Sequence, residues 1–269
     1  MKRIVALILM LCMLCPSALA ANTTPTPPPV EIEQEVLTPP PLIQDVLNIA
    51  YNEWETIGGA RLKNPNKFTE WRGKGVKFGW CAGYITWCML EAGVPQERMD
   101  DVTKAFKQTN ETYYNVDGVF HIKEANVGKL LQTYLLMNRT TNVPQPGFLQ
   151  VYGCSYNKYI HVGLVYDVQP LGNGKFRITT LEGNMNNTVK MFIHDYDMYA
   201  EDHEKNLSPV PESERLIEAS SSVDYAVISG TPNGGSEGKK YQWYVNCFLM
   251  PWVPGDEVNE ATTPTPPAQ

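Results

Sequence analysis

A chain of 269 residues with 22 Lys and Arg against 29 Asp and Glu carries a formal net charge of −7. That acidic balance argues against nonspecific nucleic-acid binding through a basic face, though an acidic protein can still reach a neutral or zwitterionic peptide.

The chain opens with Met1-Lys2-Arg3, an apolar stretch over residues 4–14 and then Ser17-Ala18-Leu19-Ala20. This charged, greasy and small-residue order is that of a secretory signal over residues 1–20, cleaved after Ala20. The apolar run is about 11 residues, short of the roughly 20 that span a bilayer as a helix. With no other uncharged run of that length, no integral membrane span is expected, and the mature protein should be soluble and secreted. Cys12 and Cys15 each follow Leu, where a bacterial lipoprotein signal carries a small residue, which argues against lipid attachment. Losing Lys2 and Arg3 with the signal takes the net charge from −7 to −9. Cys81, Cys88, Cys154 and Cys247 remain, too sparse for a disulfide-built scaffold and too irregularly spaced for zinc pairs. Residues 21–41 and 254–269 are rich in Thr, Pro and acidic residues and read as extended tails. Both carry the string Thr-Pro-Thr-Pro-Pro, at Thr24 and at Thr263, which reads as low-complexity spacer. Between them, residues 42–253 are expected to form one domain.

Within that domain Ile43, Val46, Leu47, Ala50, Tyr51 and Trp54 follow the i, i+3, i+4 spacing of an amphipathic helix over residues 43–57, stopped by Gly58-Gly59. A polar loop with Asn64-Pro65-Asn66 and Gly73-Lys74-Gly75 leads into residues 80–91, which are apolar on nearly all sides and so predict a buried helix. Cys81 and Cys88 on that helix would stand about 10.5 Å apart along it, beyond the roughly 7 Å that a disulfide bridges. Residues 123–137 predict a third helix through Val127, Leu130, Leu131 and Leu135. From Gly147 the period changes to two, and strands are expected over residues 148–152, 160–168, 176–181, 189–193, 224–228 and 241–249. Pro170-Leu171-Gly172-Asn173-Gly174 reads as a hairpin loop. Helices first and a meandering sheet afterwards give an α+β domain with N-terminal helices packed on an antiparallel β-sheet. The polar stretch 195–222 is the least regular part, and reads as a surface loop or a lid over a cleft.

Cys81 falls at the start of the buried helix, where free N–H groups and the positive dipole end stabilise thiolate over thiol. Taken alone it could equally be a small buried hydrophobe like Cys88. His161, on the strand Ile160-His161-Val162-Gly163-Leu164-Val165, can take a thiol proton on one ring nitrogen while the other donates to a group that fixes its tautomer. A hairpin turning near Leu171-Gly172 would bring His161 opposite Glu182, to within a residue or two.

The run Trp80-Cys81-Ala82-Gly83-Tyr84-Ile85-Thr86-Trp87-Cys88 resembles the W-C-A-x-F-V-x-W-C signature of CHAP domains, the cysteine, histidine-dependent amidohydrolases/peptidases of papain-like fold. Pro146-Gly147, His161-Val162-Gly163-Leu164-Val165 and Leu181-Glu182-Gly183-Asn184 are similar to that family's P-G-D, H-V-G-I-V and I-E-G-N segments, in the same order. The resemblance implies a papain-like fold, with Cys81 as nucleophile, His161 as base and Glu182 orienting His161. Asn184 would assist the histidine or the oxyanion, although a turn-forming Asn after Gly183 answers the local sequence as well. It further implies thiolate attack on an amide carbonyl without a cofactor, helped by the Cys81 backbone N–H. The implied substrate is peptidoglycan or a related peptide, cut between muramic acid and the first L-alanine or within the stem peptide or cross-bridge. Two departures stand out: Phe148 replaces the family's Asp after Pro-Gly, and residues 195–240 are longer than the core needs. A papain-like peptidase acting on proteins would use the same residues with a different cleft. A wall- or partner-binding module with remnant catalytic residues is the third reading, favoured only by the missing Asp.

His194, Asp195, Asp197, Glu201, Asp202 and His203 crowd one stretch. Their spacing matches neither a His-Glu-x-x-His zinc helix nor an alternating Asp calcium loop, so a solvated acidic loop is expected and no metal is implied. Trp71, Trp80, Trp87 and Trp243 could line a glycan-binding cleft, though buried packing is the commoner use of such residues. Asn110-Glu111-Thr112 and Asn138-Arg139-Thr140 are glycosylation sequons that matter only in a eukaryotic host.

Overall fold

The computed structural model describes residues 35–108, 116–155, 157, 159–227, 229–230 and 241–256, all within one unit of the chain. The expected signal at 1–20, most of both tails, the Asn110 sequon and Ile228 lie outside these residues. In chain order the elements are α1 (Pro41–Ile57), α2 (Cys81–Glu91), β1 (Gln96–Glu97), α3 (Met99–Gln108), β2 (His121–Ile122) and α4 (Val127–Leu136). There follow β3 (Thr140–Thr141), β4 (Leu149–Gly153), β5 (His161–Gly172), β6 (Lys175–Met185) and β7 (Thr188–Asp197). The last are β8 (Leu207–Pro209), β9 (Val223–Asp224), β10 (Ser229–Gly230), β11 (Tyr241–Gln242) and β12 (Tyr244–Leu249). Eight strands form the main sheet in the order β3-β12-β4-β5-β6-β7-β8, antiparallel throughout, with β9 added parallel to β7. The domain is therefore a mixture of helices and an antiparallel sheet.

Helix α1 starts where Pro41 supplies a preset φ and ends where Gly58 adopts φ 54 and returns its N–H to Trp54 O. It buries Ile43, Val46, Leu47 and Ala50, the stripe that the spacing marks. Helix α2 is buried on nearly every side and lies against α1, β5 and β6. Gly183 makes that approach possible, because a Cβ there would stand 2.4 Å from Tyr84 Cβ.

Helix α4 is shorter than the span 123–137, because the Asn126 side chain accepts the Lys129 N–H at 3.0 Å and so fixes its first turn. The segment before it, His121–Ile122, pairs instead with β1. Helix α3 does not stand out in the sequence because its mean hydropathy is low, although its apolar and polar residues segregate strongly to opposite faces and Asp100 and Asp101 occupy its first turn.

The β5–β6 hairpin turns on Asn173-Gly174, with φ 53 and 73, the pair of positive angles that a two-residue type I′ turn requires. The expected five-residue loop at 170–174 thus shrinks to two, and Pro170 stays in the ladder opposite Phe176, beside an irregularity in the register. Asn186-Asn187, at φ 57 and 62, turn β6 into β7 in the same way.

Strand β7 does not stop at Ile193. It pairs with β6 as far as Asp197 opposite Lys175, and β8 pairs along its other edge. The expected solvated acidic loop is therefore corrected at its start: His194 is buried, and Asp195 is held by Arg177 at 2.8 and 3.0 Å. The alternation Phe192, His194, Tyr196 continues the inward set, and the polar His194 hides it from a reading based on apolar residues. The expected irregular stretch at 195–222 likewise contains β8 and two short 3-10 turns. The strand expected at 224–228 is described only as β9, and that at 241–249 divides into β11 and β12 around Trp243.

The packed body also reaches past residues 42–253. Buried Gln145 accepts the Leu37 N–H at 2.8 Å and donates to Glu35 O at 3.0 Å, which ties Glu35 and Leu37 of the expected linker to the body. At the other end Arg139 bonds Asp256 at 2.9 Å, and Asp256 accepts the N–H groups of Gly118 and Val253.

Candidate active site

Cys81 is the first residue of α2, whose opening N–H groups have no partners within the helix. Its side chain is 8% exposed. The His161 side chain and the backbone N–H groups of Ala82 and Val162 lie close enough to the sulfur to favour its thiolate form. His161 begins β5 and is itself buried, with Nε2 at 2.8 Å from Glu182 Oε2. Because Nε2 is committed to Glu182, Nδ1 is the nitrogen left for Cys81.

Strand register explains the meeting. Leu164 pairs with Leu181, and the next step places Gly163 beside Glu182. His161 lies two residues further along β5 on the same face, a diagonal neighbour within reach of a long side chain. The Glu182 side chain crosses Gly163 to reach it, and a Cβ on Gly163 would stand 2.9 Å from Glu182 Oε1.

Glu182 has no solvent exposure, yet all its hydrogen-bonding needs are met. Oε2 bonds His161; Oε1 accepts the Thr180 hydroxyl at 2.6 Å and the Tyr152 hydroxyl. Burial would raise the Glu182 carboxyl, but His161, Thr180 and Tyr152 outweigh it and hold the carboxyl below its ordinary value. Burial likewise opposes the charged forms of the other two groups. Against it, His161 and the two N–H groups pull the Cys81 thiol below its ordinary value, while Cys81 and Glu182 push the His161 ring up to about 10. The three groups thus favour thiolate, imidazolium and carboxylate side by side. Cys88 and Cys247 go the other way: burial raises both, Cys247 to about 12.

Asn184 stands apart from this chain of bonds. It is half-buried at φ 65, with Nδ2 3.7 Å from the point that a Cβ on Gly79 would occupy. It is therefore set against the loop entering α2, and among the described residues no hydrogen bond joins it to His161 or Glu182.

Two neighbours, Tyr152 and Thr180, do not stand out in the sequence, and a third, Trp243, is there a candidate only for lining a cleft. Tyr152 pairs with His161 in the β4–β5 register, and Thr180 shares a face of β6 with Glu182 two residues away. The cross-strand position of Tyr152 is invisible until the register is known; the i, i+2 relation of Thr180 was legible. Trp243, half-buried between β11 and β12, lies with its ring 5.3 Å from that of His161 and 5.6 Å from that of Tyr152. The other tryptophans divide. Trp80 is buried against Phe68, which Trp87 also touches, whereas Trp71 lines a cavity of about 440 Å³ with Arg98, Asp100, Lys123, Glu124 and Lys129. Trp71 ties that cavity to α2 by donating to Gly83 O at 3.3 Å, two residues past Cys81.

Among the described residues no group of three or more His, Cys, Asp or Glu side chains is placed to hold a metal ion. No helix among them is long and apolar enough to cross a membrane.

Residues 71–184 match the family model for the CHAP domain, a span that contains Cys81, His161, Glu182 and Asn184. Over that span the chain is similar to the CHAP domain, a family whose members are generally cysteine, histidine-dependent amidohydrolases or peptidases. No curated protein and no solved structure matches the chain.

Proposed function

We propose that the protein is a secreted cysteine hydrolase of papain-like fold that cleaves amide bonds of bacterial peptidoglycan. It acts as an N-acetylmuramoyl-L-alanine amidase or as a stem or cross-bridge endopeptidase. The observation that carries this reading is the continuous chain Cys81–His161–Glu182, in which the thiol at a helix N-terminus is held below its ordinary pKa. The cavity beside Trp71 supports a peptide substrate bearing carboxylates, because Arg98, Lys123 and Lys129 outnumber Asp100 and Glu124 around it.

In this mechanism the Cys81 thiolate attacks the amide carbonyl, and the oxyanion that forms is met by the Cys81 backbone N–H. His161 gives its proton to the departing amine as the C–N bond breaks. A water that His161 then deprotonates hydrolyses the thioester, releasing the carboxylic acid and restoring the thiolate. Glu182 keeps the His161 ring in place and stabilises its charged form. Asn184, set against Gly79 rather than His161, is assigned to the oxyanion side of the site.

The test is to incubate the purified mature protein and a Cys81→Ala variant with purified peptidoglycan, following newly freed amines and fragment masses. Release by the wild type alone supports the wall hydrolase, and the masses name the bond. No release by either protein, together with a Cys81 inert to alkylation, would overturn the enzyme reading. A reactive Cys81 without release would point to protein substrates.

A further inference from the structure

Glu182 poses a problem that its partner His161 does not solve alone. A carboxylate with no solvent exposure and one bonded oxygen would leave the other oxygen desolvated and unpaired, a state that proteins avoid by protonating the group. Here two hydroxyls converge on the second oxygen. Thr180 Oγ1 is 2.6 Å from Oε1, and the Tyr152 hydroxyl bonds the same atom from the neighbouring side of the sheet. An ionised carboxylate only accepts, so both hydroxyls spend their single proton on it.

We infer that Tyr152 and Thr180 are positioning residues of the site, a clamp on Glu182 Oε1 that leaves Oε2 aimed at His161. This rests on the Cys81–His161–Glu182 reading above. Neither residue touches Cys81 in the hydrogen-bond network, so each acts through Glu182 and then His161. Their placement follows from the register: Tyr152 stands opposite His161 on β4, and Thr180 precedes Glu182 by one full pleat on β6.

The groups around the clamp keep its electrostatics simple. From β7, His194 faces it with its ring 6.3 Å from that of Tyr152, but burial pushes His194 down to about 4, and its Nε2 is 3.0 Å from Gln150 Nε2. It is neutral where the site works. From the β12 side comes the uncharged Trp243, and from α2 the Cys81 thiol. Lys190 stands opposite Glu182 in the β6–β7 register, but its ammonium pairs with Asp224 at 3.6 Å, so His161 is the cation that Glu182 bonds, and the two hydroxyls decide how well it faces it.

The experiment measures the pH dependence of Cys81 alkylation by iodoacetamide, resolved by peptide mass, in the full mature chain. The wild type is compared with Tyr152→Phe, Thr180→Val, Thr180→Ser and Glu182→Gln. A weakened Glu182 charge makes the His161 imidazolium less stable, and the Cys81 thiolate with it. Tyr152→Phe and Thr180→Val should each move the half-reactive pH up by about one unit, so that alkylation on the acid limb falls about tenfold. Thr180→Ser keeps the hydroxyl and should restore the wild-type profile, which a purely space-filling threonine would not predict. An unmoved profile in Tyr152→Phe and Thr180→Val, with Glu182→Gln clearly shifted, would overturn the clamp and leave the catalytic reading intact. A profile unmoved even by Glu182→Gln would instead remove the reading on which the clamp depends. Should Thr180→Val fail to fold, Tyr152→Phe decides alone, since it deletes one buried oxygen and no packing volume.

Discussion

Gly163 lies directly under the Glu182 side chain: a Cβ on it would be 2.9 Å from Oε1 and 3.0 Å from both Cδ and Cγ. Carbon atoms do not sit that close, so any side chain at 163 must displace Glu182. Glu182 cannot yield cheaply, because His161, Tyr152 and Thr180 all hold it. Gly163→Ala should therefore lower kcat about a hundredfold through the misplaced carboxylate. The overpacking should cost about 1–3 kcal/mol of stability. Turnover assays alongside urea unfolding separate the two effects; full activity with normal stability would contradict the contact.

The charge state of the site predicts a bell-shaped rate. Cys81 is held below its ordinary value and His161 is raised to about 10. Activity should fall on the acid side as the thiolate is protonated, and on the alkaline side near pH 10 as His161 loses the proton it gives to the leaving amine. Removing the imidazole leaves only the Ala82 and Val162 N–H groups to oppose burial at Cys81, so His161→Ala should carry the acid limb upward. Its alkylation at pH 6 should all but vanish, and turnover should drop about a hundredfold or more.

Trp243 covers the outer edge of the His161 and Tyr152 rings. Trp243→Ala removes aromatic contacts worth about 1 kcal/mol and opens the pair to water, which weakens the charges that the site depends on. A fall of about fivefold in kcat/KM is expected, with the melting temperature changed far less than by any core truncation. Comparing the alkylation profiles of the two proteins would show whether the loss arises at the histidine.

Arg139 and Asp256 form an ion pair with side chains only 8% and 9% exposed, and Arg139 also donates to Val116 O at the other end of its guanidinium. Arg139→Ala strands a buried carboxylate and should cost about 3–5 kcal/mol in urea unfolding. Cys81 alkylation in the surviving native protein should be unchanged, since none of these atoms touches the site.

The site was more legible in the sequence than the sheet that carries it. Cys81 stands at the head of an apolar helix, and a hairpin turn expected near Leu171-Gly172, found two residues on at Asn173-Gly174, already brings His161 towards Glu182 from local signals. What local signals could not supply was register. The cross-strand pairing of Tyr152 with His161, and hence its bond to Glu182, depends on which residues of β4 and β5 face each other. Strand β7 runs past the expected end at Ile193 because His194 is polar by type and buried by position, a residue that Gln150 satisfies from 44 places away. Pro- and acid-rich segments look unpackable, but Glu35 and Leu37 are held by Gln145, and Asp256 by Arg139, through partners more than 100 residues distant.

Those two anchors share a neighbourhood. Arg139 and Gln145 are separated by six residues, which span at most about 20 Å of chain. Trp252 adds a third link there through its bond to Pro146 O at 3.1 Å. The polypeptide accordingly enters and leaves the folded body at one corner. A domain whose ends meet in this way can be spliced as a cassette into a surface loop of another protein, or rejoined by a short bridge and reopened elsewhere, without stretching either junction.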